Sequence, residues 1–421
     1  MKFRKLFSMV FISLFVLFGT FPSNSLAQNL ESDFKTRNDT FRVLITGVNK
    51  EKNSIIQSLN LTINRDFAED GFTVTVNEKQ YEALLKNKNL SIEKVNTVKI
   101  AVAKSENKIN YIPSTQVPWG IKAIYNNSTL SQTTGGDGIK VAVLDTGVYT
   151  SHIDLRNNVE QCKDFTRTST YVNNSCADRN GHGTHVAGTI LADGGSDGRG
   201  IYGVAPDAKL WAYKVLGDNG SGYSDDIAYA IRHAADEAVR TGSKVVINMS
   251  LGSSGKDSLI TDAVNYAYNR GALIVAAAGN SGPNSNTIGY PGALTTAIAV
   301  AALENVQQNG TYRVANFSSR GNPITAGDYI IQERDIEVSA PGASIESTWH
   351  NGRYNTISGT SMATPHVAGL AAKLWALNKN MTNSQLRLEL QNRAKQYDIK
   401  GGTGATTGDD YASGFGFPRV R

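Results

Sequence analysis

The chain is poor in cysteine, with two in 421 residues, and poor in proline, with 10 against 40 glycines. Two cysteines cannot staple a small disulfide-rich scaffold. Beyond the N-terminus there is no apolar run of the roughly 18 residues that a membrane-spanning helix requires. Most of the chain also lacks net charge. Residues 1–27 carry +3 and residues 28–111 carry +2, while the remaining 310 are balanced. A neutral body argues against nucleic-acid binding, which needs a concentrated basic face. What is present is a composition of 40% hydrophobic and 19% charged residues, too apolar for disorder and long enough for one large core or two domains. No internal repeat or low-complexity tract interrupts it.

The first 27 residues have the pattern of an export signal. Lys2, Arg4 and Lys5 precede an apolar stretch from Leu6 to Phe21, and Ser25-Leu26-Ala27 offers small residues where a signal peptidase reads. The competing reading, an N-terminal membrane anchor, fits less well because the run is short and contains Ser and Gly. Cleavage after Ala27 and a secreted, extracellular protein are expected. In an exported chain, the pair Cys162 and Cys176 suggests a disulfide. A metal site is the alternative, but no further Cys or His stands at zinc spacing. Closing a loop of about 15 residues contributes roughly 3 kcal/mol in the chain-entropy model.

Residues 41–102 form a unit of their own. Phe41–Thr46 and Phe72–Val76 are strand candidates. Glu78–Lys86 places Tyr81, Leu84 and Leu85 on one helical face behind a capping Asn77, and Ser91–Val102 alternates again as a strand. A small α+β domain is expected, followed by an exposed polar stretch from Lys104 to Lys108. The body begins near Pro118. Continuous apolar runs at Ile139–Leu144, Val245–Asn248 and Leu273–Ala278 have the pattern of buried parallel strands. Helical stretches at Ser224–Arg240 and Ser258–Arg270 separate them, so an α/β fold with a mainly parallel central sheet is expected. In such sheets ligands bind beyond the carboxyl ends of the strands.

Four glycine-flanked segments carry chemistry. They are Val143-Leu144-Asp145-Thr146-Gly147, Gly181-His182-Gly183-Thr184-His185, Ala277-Ala278-Gly279-Asn280-Ser281-Gly282, and Gly359-Thr360-Ser361-Met362-Ala363-Thr364-Pro365-His366. Together they offer a carboxylate, an imidazole, an amide and a hydroxyl. A serine hydroxyl needs a base to take its proton, and the base needs a carboxylate to fix its tautomer. The order Asp, His, Ser is one known solution. Singly, Asp145 would be an ordinary loop or cap residue and Asn280-Ser281-Gly282 an ordinary turn. The segment around Ser361 is not the G-x-S-x-G elbow of lipases and esterases.

In this order the four segments resemble the subtilisins, secreted serine proteases made as pre-pro-enzymes, and in particular a bacillary branch that includes cold-adapted members. The resemblance implies a signal peptide over 1–27, a ferredoxin-like inhibitory propeptide over 28–112 and a catalytic domain over 113–421. It implies that Asp145 orients His182, that His182 is general base and then acid, and that Ser361 attacks the scissile carbonyl. Asn280 and the Ser361 backbone N–H would hold the oxyanion. Ser361 would open a helix to Leu377, and His185 and His366 would be packed structural residues. Ser250, Leu251, Gly252 and Gly279 would line the peptide groove, and Gly289 the mouth of a pocket wide enough for a large apolar P1 side chain. The resemblance further implies calcium as Ca2+, with Asp154 as a ligand and Asp193 and Asp197 in a loop that departs from the family pattern. The acidic stretch Asp328–Glu337 is a candidate for another calcium site. Protein and peptide substrates, a propeptide acting as intramolecular inhibitor and chaperone, and a monomer without membrane or nucleic-acid partners are expected. The propeptide should end near residue 112, with Tyr111 or Ile112 filling the P1 pocket. Two competing functions are a binding scaffold on a dead protease fold and a processing protease with one dedicated protein substrate.

Overall fold

Apolar runs and alternating segments assemble a four-stranded sheet, a nine-stranded sheet and two three-stranded sheets in the computed structural model, which describes residues 39–47, 52–105 and 108–421. The expected signal peptide lies outside these residues, as do Glu106 and Asn107 of the polar stretch.

The small domain comprises β1 (Phe41–Thr46), α1 (Lys52–Ser58), β2 (Thr62–Asp66), β3 (Phe72–Val76), α2 (Glu78–Leu85) and β4 (Ser91–Lys94). Its sheet has the antiparallel order β2-β3-β1-β4, the ferredoxin-like βαββαβ arrangement. Asn77 starts α2 with a capping box, its side chain accepting from Gln80 N at 3.0 Å. Neither α1 nor β2 has a legible apolar pattern. The helix buries only Ile55, and the strand's buried side chain is Arg65. The core is Val43, Ile45, Ile55, Leu61, Phe72, Val74, Val76 and Leu84.

The expected single strand from Ser91 to Val102 is in fact two. The chain leaves the small sheet after Lys94, and β5 (Thr97–Ile100) pairs with the body instead. Alternation fixes which face a side chain takes but not which strand it pairs with. Val98, 1% exposed, packs in the body's core beside Leu216 and Leu251. A two-residue strand, β6 (Lys104–Ser105), follows.

In the body, α3 (Trp119–Ile124), β7 (Ile139–Asp145), β8 (Val159–Asp164), β9 (Val172–Asn173), α4 (His182–Leu191), β10 (Lys209–Lys214), β11 (Ser221–Tyr223) and α5 (Ser224–Thr241) come first. Then follow β12 (Lys244–Met249), β13 (Leu251–Gly252), α6 (Ser258–Asn269), β14 (Leu273–Ala277), β15 (Ile298–Gln308), β16 (Thr311–Val314) and β17 (Val338–Pro341). The last elements are β18 (Ile345–Trp349), β19 (Arg353–Ser358), α7 (Thr360–Leu377) and α8 (Asn383–Lys395).

The main sheet runs β16-β15-β14-β12-β7-β10-β8-β9, with β17 beside β15. It is parallel throughout except for β9 and β16. Successive residues of β7 feed opposite faces. Val141 and Val143 pack with Val186 and Ile190 of α4 and Val367 and Leu370 of α7. Ala142 and Leu144 pack with Ile227 and Ile231 of α5 and Ile260 and Val264 of α6. A strand covered on both faces has no polar side, which is why Val141–Leu144 at the centre of β7 is an unbroken apolar run. Each such Val, Leu or Ile contributes about 1.5–3 kcal/mol by burial.

Candidate active site

Asp145 ends β7, His182 begins α4 and Ser361 is the second residue of α7, so strand ends and helix starts deliver all three groups to one edge of the sheet. Asp145 Oδ1 accepts from Thr146 N at 2.7 Å and lies 2.8 Å from His182 Nδ1, both side chains being buried. Close packing at this junction requires Gly183, because a Cβ there would stand 2.1 Å from the Gly147 carbonyl oxygen. His182 Nε2 is buried without a hydrogen-bond partner. Ser361 Oγ is turned from it, donating to Ser250 O at 2.8 Å and accepting from Ala101 N at 3.0 Å.

Asn280 follows β14. Its Oδ1 accepts from Thr360 N at 3.0 Å and from Thr360 Oγ1 at 3.1 Å, which fixes the amide plane. The Nδ2 group is left buried and unpartnered. The Ser361 N–H, at the start of α7, donates to the Ala101 carbonyl at 3.4 Å. A helix start is where unused backbone donors and positive dipole favour developing negative charge.

The groove is occupied by the chain itself. β5 lies between β11 and β13 in an antiparallel three-stranded sheet, with Lys99 opposite Gly252 and Ile100 opposite Leu251. Beside Ala101 lies a cavity of 240 Å³ bounded by Leu251, Gly252, Ala277, Gly279, Asn280 and Gly289. Ser253, Ser254, Ser281 and Thr287, with Lys99, Ile100 and Val102 of the bound segment, complete the wall, and no carboxylate lines it. Of the residues expected at the groove, Leu251, Gly252, Gly279 and Gly289 line this cavity and Ser250 is buried against Ser361, while the two serines after Gly252 were not foreseen. Tyr111 or Ile112 was expected at the serine. These side chains are instead 73% and 66% exposed, and the structure brings Ala101 to Ser361.

Asp178 is a further residue that the sequence reading passed over. Its Oδ1 accepts from Thr146 Oγ1, Asn180 N and Gly181 N, and its Oδ2 from Thr184 N and Thr184 Oγ1, all between 2.6 and 3.0 Å. It therefore ties the end of β7 to the start of the His182 helix. The available signal was an acidic residue just ahead of a helix start. His185 and His366 are buried and hydrogen-bonded to the Ile345 and Met362 carbonyls, and burial lowers them to about 3 and about 4.

Asp154 is buried, its Oδ2 accepting from Ile201 N and Tyr354 OH at 2.9 Å each. Its Oδ1 has no partner and lies so close to the 193–200 loop that a Cβ at Gly200 would be 1.9 Å away. Asp193 and Asp197 share that loop, where Gly195 N and Arg199 N donate to them. No group of three His, Cys, Asp or Glu side chains suited to a metal occurs among the described residues. The Asp328–Glu337 stretch does not converge. Glu333 pairs with Lys256, and Glu337 pairs with Arg387. Cys162 and Cys176 are joined as a disulfide.

The Peptidase_S8 signature, described as the subtilase family, matches residues 136–416. A subtilisin of Bacillus sp. (strain TA39) is 62% identical over 403 residues, covering 95% of this chain and 96% of its own. A thermostable alkaline protease of Halalkalibacterium halodurans is 41% identical over 283 residues, covering 67% of this chain and 69% of its own. Among solved structures, sphericase superposes with a TM-score of 0.73 at 75% identity, over 73% of this chain and all of its own. The S41 psychrophilic protease gives the same TM-score at 67% identity, with the same coverage.

Proposed function

The chain belongs to the subtilase family and is a subtilisin-type serine endopeptidase; from that premise we propose that it is secreted as a proenzyme, cuts itself, and then hydrolyses proteins with broad specificity for large apolar P1 residues. Asp145, His182 and Ser361 are the triad, and Asn280 completes the oxyanion site. Rotation of the Ser361 hydroxyl from the Ser250 carbonyl towards the free His182 Nε2 creates the nucleophile–base contact. His182 takes the Ser361 proton as Oγ attacks the carbonyl carbon, and Asp145 stabilises the resulting imidazolium. The unpartnered Asn280 Nδ2 and the Ser361 N–H receive the oxyanion. Loss of one such donor costs about 100- to 1,000-fold in turnover, a magnitude established on subtilisin itself. Collapse of the intermediate sends the proton to the leaving amine, and water then frees the acyl group.

The observation that carries this reading is the Asp145–His182 contact beside a serine whose backbone N–H already meets a peptide carbonyl. The 240 Å³ cavity beside the Ala101 methyl group has no carboxylate in its wall to select a basic side chain, which supports the P1 preference. A peptide series with Phe, Lys or Glu at P1 tests it, and a strong Lys preference would defeat it. Stoichiometric labelling by a serine-reactive phosphonyl fluoride, abolished in Ser361→Ala, tests the nucleophile.

The orphaned Oδ1 of Asp154 against an oxygen-rich loop suits a hard cation. Calcium would be held there by Asp154 and the Asp193–Gly200 loop, supplying a charge that ties the loop to the body. Export and a monomeric state complete the proposal.

A further inference from the structure

The backbone on both sides of Ala101 is clamped. On the amino side, Ile100 and Lys99 pair with β13, and Lys99, Val98 and Thr97 pair with β11. On the carboxyl side, Ala103 N donates to Ser358 O at 2.8 Å, and Lys104 and Ser105 pair with Ser358 and Ile357. Between the clamps, the Ala101 carbonyl faces the Ser361 N–H. A Cβ at Gly359 would stand 2.4 Å from that carbonyl oxygen, so the approach needs glycine there. Farther on, Asn110 exchanges both backbone hydrogen bonds with Tyr354 at 2.9 Å, and Tyr111 OH accepts from Arg353. The chain thus follows β19 in the antiparallel sense, away from the serine.

We infer that the first bond cut in maturation is Ala101–Val102, and that the new amino end stays paired along β19 as a strap in the leaving-group half of the groove until a second cut removes it. This rests on the reading of Ser361 as nucleophile. Ser361 Oγ bonds to the Ala101 carbonyl carbon, its proton passing through His182 to the Val102 nitrogen as the C–N bond breaks. Water then cleaves the ester, leaving an Ala101 carboxylate and returning a proton to Ser361 Oγ. The hydrogen bonds of Ala103, Lys104 and Ser105 to β19 survive this step, so the primary product has its primed subsites filled. Pairing to Tyr354 holds the exposed Tyr111 and Ile112 away from their own serine, which makes them a target for another molecule. The first step is therefore unimolecular and the second bimolecular.

The test is a time course of refolding wild-type proenzyme, read by intact mass and N-terminal sequencing. A species beginning at Val102 should appear first, at a rate unchanged by dilution. A species beginning near Pro113 should follow, at a rate falling in proportion to concentration. Ala101→Phe, which fills the adjacent cavity, should speed the first step by roughly tenfold. Tyr111→Ala, at an exposed site, should leave the first step unchanged and slow the second. A first product beginning between Ile109 and Pro113, or loss of the first step in Tyr111→Ala, overturns the inference while the nucleophile stands. A Val102 species arising from purified Ser361→Ala alone would instead overturn the nucleophile.

Discussion

Arg65 of the small domain donates from Nε to Asp226 Oδ1 in the first turn of α5 at 2.9 Å, and the two residues are 1% and 3% exposed. Arg65 also reaches the Phe165, Thr168 and Thr170 carbonyls, while Arg42 adds contacts to Asp225 and Asp226. Burial and the neighbouring Asp225 push the Asp226 carboxyl up to about 6, with the two arginines opposing them. The carboxylate pair is therefore costly in the dry interface unless both cations are present.

Removing Arg65 leaves a buried carboxylate short of its partner, a loss of about 3–5 kcal/mol for comparable pairs. Arg65→Ala should weaken inhibition by added small domain roughly 100-fold or more and shorten the lag before activity appears. Inhibition titrations with the isolated small domain measure this. An unchanged inhibition constant would show that β5 alone carries the affinity.

Asp178 touches neither the groove nor Ser361, but it joins β7 to the His182 helix through five hydrogen bonds. Asp178→Ala should lower kcat by about 100-fold through a displaced imidazole, with KM little changed. Asp178→Asn should recover part of the loss. Equal falls in active-site labelling and kcat would indicate plain unfolding instead.

Calcium, if held at Asp154 in the folded state only, stabilises by mass action, about 2.7 kcal/mol at a hundred times its Kd. Excess chelator should lower the thermal midpoint of Ser361→Ala, a variant spared from self-digestion. Asp154→Asn should abolish most of that difference. The same midpoint of Ser361→Ala with and without chelator would remove calcium from the account.

His185 and His366 are held neutral by burial, about 3 and about 4 against an ordinary 6.5. Their folded-state values are lowered, so unfolding takes up protons. The stability they supply is complete above pH 6.5 and falls as the pH drops towards 4, by about 1.4 kcal/mol per histidine per pH unit. Urea unfolding of Ser361→Ala at pH 7, 6 and 5, with and without His366→Gln, isolates one of these contributions. Identical pH slopes in the two proteins would count against it.

Features that rest on local pattern are legible before folding. The stretches Val141–Leu144 of β7, Val245–Ile247 of β12 and Leu273–Ala277 of β14 mark strands because burial on both faces demands apolar runs without a polar side. The small domain's two central strands, Phe41–Thr46 and Phe72–Val76, and the helix capped by Asn77 follow from apolar pattern and capping chemistry. Asp145, His182, Asn280 and Ser361 are recognisable because four motifs occur in one order. Where Ser91–Val102 divides emerges on folding alone, since a period of two is the same in either sheet and pairing partners lie far along the chain. That division carries Ala101 to Ser361 and leaves Tyr111 and Ile112 exposed. Arg65 and Asp178 were illegible for the same reason: a charged residue shows its role only when folding buries it against a distant partner.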